Sequence, residues 1–238
     1  MINNNLCLAI VTARGGSKSV PQKNIKLICG KPLISWTAKA ISKSKYIDRA
    51  ILTTDSKVIA DIGKESGLEC DFLRPKELSN DNSKQEDAIK HAMEIVQKND
   101  KKYKYIIVLT PCHPLRETAE IDKCIEKIEK HEPWRGVVTI MECSSNPLFS
   151  NILSKNKNLE KFIPDKYKDK NRQELPTYYE ISGSTCVFEW DYFLKDMHFF
   201  GRDTYAVKTD SVSGHDINSE IDFQLAEVLL NNRINAII

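Results

Sequence analysis

An α/β fold with a mostly parallel sheet flanked by helices is predicted by three features of this 238-residue sequence. Short apolar runs of strand length recur, and helical patterns of roughly ten to fifteen residues separate them. A glycine-containing polar turn follows the first run, at the strand end where such sheets hold their ligands. Hydrophobic residues make up 41% of the chain, enough for one sizeable core, so a single domain over 1–238 is expected.

The first strand is "LCLAIVTA" at 6–13, and "PLISWTAKAISKS" after it begins a helix, with Pro32 suited to a first helical position. "RAILTTD" at 49–55 is the second strand. The following "SKVIADIGKESG" opens on a capping serine, Ser56, and stops at Gly67. "KQEDAIKHAMEIVQK" sets Ala88, Ala92, Met93 and Val96 on one helical face, and "YIIVLTP" at 105–111 is the third strand. "TAEIDKCIEKIEK" turns Ile121, Cys124, Ile125 and Ile128 inward, and "GVVTIME" at 136–142 is a fourth strand.

Between about 143 and 178 the periodicity dissolves into lysine, asparagine and proline, so this stretch is expected to leave the sheet as a small extended flap or dimerisation arm. Strands resume in "STCVFEW" and "TYAVKT". The last helix, "SEIDFQLAEVLLNN", offers Ile221, Leu225, Val228 and Leu229 as its expected buried stripe.

Thirty-five basic residues against 33 acids leave a net charge of +2, without the broad positive field of a nucleic-acid binder. No stretch approaches the roughly 18 apolar residues of a membrane span. "LCLAIV" is too short for a signal-peptide core and has no basic segment before it, so a cytoplasmic protein is expected. The seven cysteines are odd in number and contain no C-x-x-C, which points to reduced thiols in the core and away from disulfides or a zinc knuckle.

"VTARGGSKSVPQKN" at 11–24 is the densest site signal. It matches neither G-x-x-x-x-G-K-[ST] nor G-x-G-x-x-G. Gly15 and Gly16 let backbone N–H groups face an anion while Arg14, Lys18 and Lys23 supply charge, an arrangement suited to a triphosphate. On spacing alone, a glycine turn with solvated lysines is an equal reading. In "TPCHPLR" at 110–116, Cys112 and His113 are neighbours whose side chains would point apart on an extended segment, which argues against a thiol nucleophile with a histidine base. Arg116 would orient that loop.

"ARGGSKSVPQKN", then "GKPLISWTAKA", "IDRAILTTDS", "FLRPKELSND", "RQELP" and "GHDINSEIDFQLAE" follow one another along nearly the whole chain, and together they resemble the acylneuraminate cytidylyltransferase family. That family comprises the CMP-sialic acid synthetases and their relatives for other nonulosonic acids. The resemblance implies a Rossmann-like sheet, a homodimer, and coupling of CTP to an acidic nine-carbon sugar with magnesium, releasing pyrophosphate. It places Arg14, Lys18 and Lys23 at the phosphates, Asn24 at the closure of the loop, Arg74 beside the nucleotide, Arg172 at the sugar acid, and Asp216 at the metal. Arg14, Lys23 and Asp216 are then the expected catalytic residues. Gly15, Gly16, Ser17, Lys18, Asn24, Arg74, Gln85, Thr110, Arg172 and Ser182 are expected to bind substrate, and Asp216 and Asn218 to hold the metal.

Departures from the family pattern gather toward the sugar end. Thr110 replaces a glutamine, Lys84 and Gln85 replace a serine pair, and Glu180, Ser182, Gly183, Ser184, Thr185 and Cys186 stand where "RxNGAIY" is expected. Glu180 reverses a charge, which points away from sialic acid itself. Asn218 replaces the second aspartate of "DID" and, being neutral, should hold a metal more weakly. Three expectations follow in order: a cytidylyltransferase for another nonulosonic acid such as legionaminic or pseudaminic acid, a nucleotidyltransferase with another base or sugar, and a nucleotide binder without turnover. Ser219 is the expected N-cap of the last helix, with Glu220 and Asp222 complementing its dipole.

Overall fold

The computed structural model of the chain describes residues 1–99 and 102–236. Its main strands are β1 (Cys7–Thr12), β4 (Arg49–Thr53), β5 (Tyr105–Leu109), β6 (Gly136–Glu142), β7 (Tyr179–Glu189) and β8 (Thr204–Lys208), while β2 (Leu27–Ile28) and β3 (Lys31–Pro32) form a separate small ribbon. The sheet order is β4-β1-β5-β7-β6-β8. β1 runs parallel to β4 and β5, β6 parallel to β8, and β7 antiparallel to both its neighbours. Since the chain steps from β1 outward to β4 and then back across to β5, the carboxyl ends of these three strands frame a crevice at a topological switch point.

The helices are α1 (Leu33–Ser42), α2 (Lys57–Glu65), α3 (Gln85–Asn99), α4 (Thr118–Lys130), α5 (Trp190–Asp196) and α6 (Glu220–Asn235). One face of the sheet packs Ile34, Ala38, Ile59, Ile121, Cys124 and Ile125 onto alternate residues of β1 and β5. The other face receives Ile89, Ala92, Met93 and Val96 of α3 with Trp190 and Phe193 of α5. The inward stripes expected for α3 and α4 are therefore the buried ones. Ser56 caps α2 by accepting from the Ile59 N–H, and Pro32 stands one position before α1 as its N-cap.

The stripe expected on α6 is corrected. Ile221, Leu225 and Val228 are exposed, Leu229 alone of the expected four packs in part, and Phe223, Ala226 and Leu230 are the buried residues, against Val20, Ile28, Leu33 and Ile217. Both faces of this helix carry aliphatic residues, so periodicity does not choose between them. The β2–β3 ribbon and the residue before it choose: Ile28 of β2 packs in this cluster, and Lys26 pairs with Glu220 at 2.6 Å and lies 4.4 Å over the Phe223 ring.

The ends of β6 and β7 pair as Glu142 with Tyr179, so residues 143–178 form the connection between these antiparallel strands. No strand or α-helix interrupts this connection among the described residues. Near its middle β7 carries Gly183, whose φ of 64° favours glycine. The register slips opposite, between Val138 and Ile140. There the Thr139 hydroxyl replaces a ladder partner by accepting from the Thr185 N–H at 3.1 Å.

Candidate active site

The polar turn starts where β1 ends, and a second acid that sequence reasoning did not single out organises it. Asp55, just past β4, accepts from the Gly15 N–H at 2.9 Å and lies 4.0 Å from the Arg74 guanidinium. The Gly15 backbone thus faces a carboxylate. A Cβ there would meet the Ser56 Cβ at 3.3 Å, whereas one at Gly16 would point into open space. Asn24 is buried, and its amide donates to the Arg14 carbonyl at 2.9 Å, which ties the far end of the turn back to its beginning. Ser17 closes the tip with a backbone bond to the Gly15 carbonyl.

Arg14 and Lys18 converge on one carboxylate, that of Asp81, at 3.1 and 2.5 Å. Hydrogen bonding from Lys18 leads in holding the Asp81 carboxyl below its ordinary value, with Arg14 adding to it. Arg74 is buried, its Nε donating to Ser79 at 2.9 Å, and burial lowers its pKa while Asp55 opposes the change. Gln85, at the start of α3, donates to the Thr12 hydroxyl at 2.9 Å. Arg14, Arg74, Asp81, Gln85 and Thr110 line a cleft of about 310 Å³ at the carboxyl ends of β1 and β5.

Lys23 belongs to a second group. Its ammonium donates to the Ile217 carbonyl at 2.7 Å, between Asp216 and Asn218. The Ile217 N–H donates in turn to the Cys112 carbonyl, which pins this turn to the segment after β5. Asn218 donates to Asp216 Oδ2 at 2.8 Å, and Asp216 Oδ1 is buried without a hydrogen-bond partner among the described residues. His113 links the two groups. Its Nδ1 lies 3.1 Å from the Thr110 hydroxyl, and its Nε2 lies 3.0 Å from the Ser182 carbonyl and 3.9 Å from Asp216.

The expectation that Cys112 and His113 point apart is corrected: Cys112 Sγ lies 3.5 Å from His113 Nδ1. The segment after β5 is a turn, closed by the Arg116 N–H on the His113 carbonyl, so strand alternation does not apply. A thiolate nucleophile is still disfavoured, since burial and then the Asp216 carboxylate push the Cys112 thiol up to about 12. Burial, followed by the Arg116 guanidinium, keeps His113 below its usual pKa.

Behind this group lies a buried polar network that explains the residues at 182–185. Glu120 of α4 accepts from Ser184 at 2.5 Å and Thr185 at 2.7 Å, and also from the Thr209 hydroxyl. Arg116 spends its guanidinium on the Ser184 and Thr110 carbonyls and on Thr37. Each charge is satisfied by hydrogen bonds, as buried charges must be. Ser182 is buried here, its hydroxyl accepting from the Ser184 N–H. Arg172 lies within the 143–178 connection, exposed, and donates to the Ser144 carbonyl at 2.9 Å.

A second cleft of about 300 Å³ shares Gln85 and Thr110 with the first. Its walls are apolar, from Val108, Val138, Ile181, Cys186, Phe199 and Phe200, with Glu86 as the charged contributor. The two clefts meet at Gln85 and Thr110, and His113 connects Thr110 to Asp216 and so to the Lys23 group.

Comparison with known proteins finds a matching family model, named relatives and solved structures of like fold. Residues 8–232 match the family model described as cytidylyltransferase. The chain is 31% identical over 219 residues to the N-acylneuraminate cytidylyltransferase of Escherichia coli O18:K1:H7, covering 92% of this chain and 51% of that protein. It thus spans about half the length of that relative. To the CMP-N,N'-diacetyllegionaminic acid synthase of Legionella pneumophila it is 30% identical over 237 residues, covering 97% and 99%. To the pseudaminic acid cytidylyltransferase of Campylobacter jejuni it is 30% identical over 181 residues, 76% of each. Among solved structures, CMP:2-keto-3-deoxy-manno-octonic acid synthetase complexed with CTP superimposes with a TM-score of 0.72 at 12% identity, over 96% of this chain and 99% of that one, a likeness of fold.

Proposed function

The chain belongs to the cytidylyltransferase family, and we propose that it transfers the CMP group of CTP to an acidic nonulosonic sugar of the legionaminic or pseudaminic class, releasing pyrophosphate. The observation that carries this reading is the cleft at the switch point, where Arg14 and Arg74 stand beside Gln85 and Thr110, with Lys23 held at the adjoining Asp216 turn.

Attack of a sugar hydroxyl on the α-phosphate builds negative charge on nonbridging oxygens and on the departing pyrophosphate, so catalysis consists mainly of positioning and fixed cations. Arg14 and Lys18 exchange the Asp81 carboxylate for phosphate oxygens, and Lys23, braced on the Ile217 carbonyl, supplies charge at the reacting end. Asn24 and Asp55 keep the loop shaped for this before substrate arrives. Asp216 and Asn218 fit a divalent ion, because Asp216 Oδ1 is a buried oxygen left without a partner and magnesium prefers oxygen donors. When bound, magnesium neutralises phosphate charge and eases deprotonation of the attacking hydroxyl.

The second cleft is the seat of the acceptor sugar. Its apolar walls favour N-acyl and deoxy substituents over a fully hydroxylated chain, and Glu86 disfavours a carboxylate near it. Arg172 serves that sugar acid from the 143–178 connection. Phe149, Ile152, Leu153 and Leu159 are exposed on this connection, and a second copy of the chain covers them in a homodimer. The seven free cysteines suit the reducing cytoplasm. Among the described residues, no helix is long and apolar enough to cross a membrane.

The test is a pyrophosphate-release screen of the four nucleoside triphosphates against a panel of nonulosonic acids, with magnesium, for wild type and Lys23→Ala. Release with CTP and an N-acylated deoxy acid is expected, falling at least a hundredfold in Lys23→Ala with unchanged thermal unfolding. Release with another nucleotide, or full turnover by Lys23→Ala, contradicts the reading.

A further inference from the structure

We infer that Cys112, His113 and Asp216 form a three-donor site for a thiophilic divalent cation of the zinc class, set beside the phosphate cleft. One donor atom from each residue lies within 4.8 Å of the others. The hydrogen bonding fixes which histidine nitrogen keeps a lone pair, and the Thr110 hydroxyl, 3.1 Å from that nitrogen, turns away when a cation binds. Nε2 lies 3.0 Å from the Ser182 carbonyl, which only accepts, so Nε2 carries the proton and Nδ1 keeps its lone pair. That Nδ1 stands 3.5 Å from Cys112 Sγ. In a tetrahedral zinc site with sulfur at ~2.3 Å and nitrogen at ~2.0 Å, the two donors also stand ~3.5 Å apart. The Ser182 carbonyl then plays the part that outer hydrogen bonds play for metal-bound histidines, holding ring and tautomer.

A second, independent feature points to the same place. Asp216 Oδ1 is buried and has no hydrogen-bond partner among the described residues, an expensive condition for a carboxylate oxygen unless something else satisfies it. Sulfur, nitrogen and oxygen donors from a turn and a facing loop make a three-ligand set that leaves a fourth position for water or a substrate oxygen. On binding, the thiol releases its proton to solvent as the cation–sulfur bond forms, and hydration waters leave the cation. Occupancy uses the Asp216 oxygen that the transferase reading gives to magnesium. A zinc-class cation therefore blocks the reaction at a site whose sulfur and nitrogen donors magnesium does not favour.

The experiment titrates the reduced, metal-free full chain with cobalt(II), followed by zinc(II). Sulfur-to-cobalt charge-transfer absorption saturating at one equivalent is expected, bleached by one equivalent of zinc and weakened at least tenfold in affinity in Cys112→Ser and in His113→Gln. No such absorption in the wild type, or its retention in Cys112→Ser, overturns the site. A variant-free arm maps alkylation of the wild-type chain by mass spectrometry. One equivalent of zinc should slow modification of Cys112 at least tenfold and leave the partly exposed Cys29 and Cys143 unaffected, whereas equal protection or none overturns the assignment. Zinc should also suppress magnesium-supported pyrophosphate release, and a full rate with the site loaded overturns the shared use of Asp216. A chain that shows the cobalt absorption but no turnover with any substrate contradicts the transferase reading and leaves the metal site standing.

Discussion

Asp81 is the residue whose role follows most directly from charge. It is solvent-exposed and holds Arg14 and Lys18 together, so a phosphate group must compete with it for both cations. Exposed ion pairs are weak, and the competition is correspondingly modest. Asp81→Ala should lower the KM for CTP roughly two- to fivefold at low salt, with the gain fading as salt rises; an unchanged or higher KM contradicts the competition. Residues at this scale were legible in unequal degree. Arg14, Lys18 and Lys23 stand out as candidates through the density of one loop, and Asp216 through the order of motifs that carries the family resemblance. Asp55 does not, because an acid and a serine before a helix read as its cap, and only the fold shows Ser56 capping while Asp55 turns to the Gly15 N–H. Cys112 and His113 were misread for a related reason: their mutual direction depends on a turn that alternation rules do not describe.

At the scale of elements, α4 does more than cover the sheet. Its Glu129 accepts from the Tyr105 hydroxyl at the start of β5 and from the Asn3 amide at 3.0 Å, and pairs with Lys104 at 3.3 Å. Burial alone would raise the Glu129 pKa, but these donors outweigh it and hold the carboxyl below its ordinary 4.5. A carboxyl whose folded pKa is depressed stabilises the native state above its unfolded pKa, and that contribution is lost as pH falls through the folded value. The melting temperature should therefore fall below about pH 4.5 and fall less steeply in Glu129→Gln, measured by thermal unfolding across pH 3–7; parallel profiles would remove Glu129 from the account. Helices α3 and α4 were readable because one face is apolar and the other charged. Helix α6 was not, since Ile221, Leu225 and Val228 compete with Phe223, Ala226 and Leu230 and the ribbon that decides between them is remote in sequence.

For the whole molecule, alternation of apolar runs and helical patterns foretold the mostly parallel sheet, as five of the six strands share one direction. The reversal of β7 was not foretold, because strand direction depends on where the chain re-enters the sheet and not on any local pattern. That reversal sends residues 143–178 outward from the paired ends of β6 and β7 and displays Ile152, which is 92% exposed. Light scattering should give twice the mass of one chain, with Ile152→Asp combined with Leu159→Asp giving a single chain. A monomeric wild type contradicts the role proposed for this connection.

The central claim is that the turn after β1 and the loop at Asp216 together grip the triphosphate, and a crystal structure of the chain with CTP and magnesium addresses it most directly. The account requires phosphate oxygens on Arg14, Lys18 and Lys23, with the Asp81 carboxylate disengaged. A triphosphate lodged away from these cations, or CTP bound while Arg14 and Lys18 still hold Asp81, would contradict it.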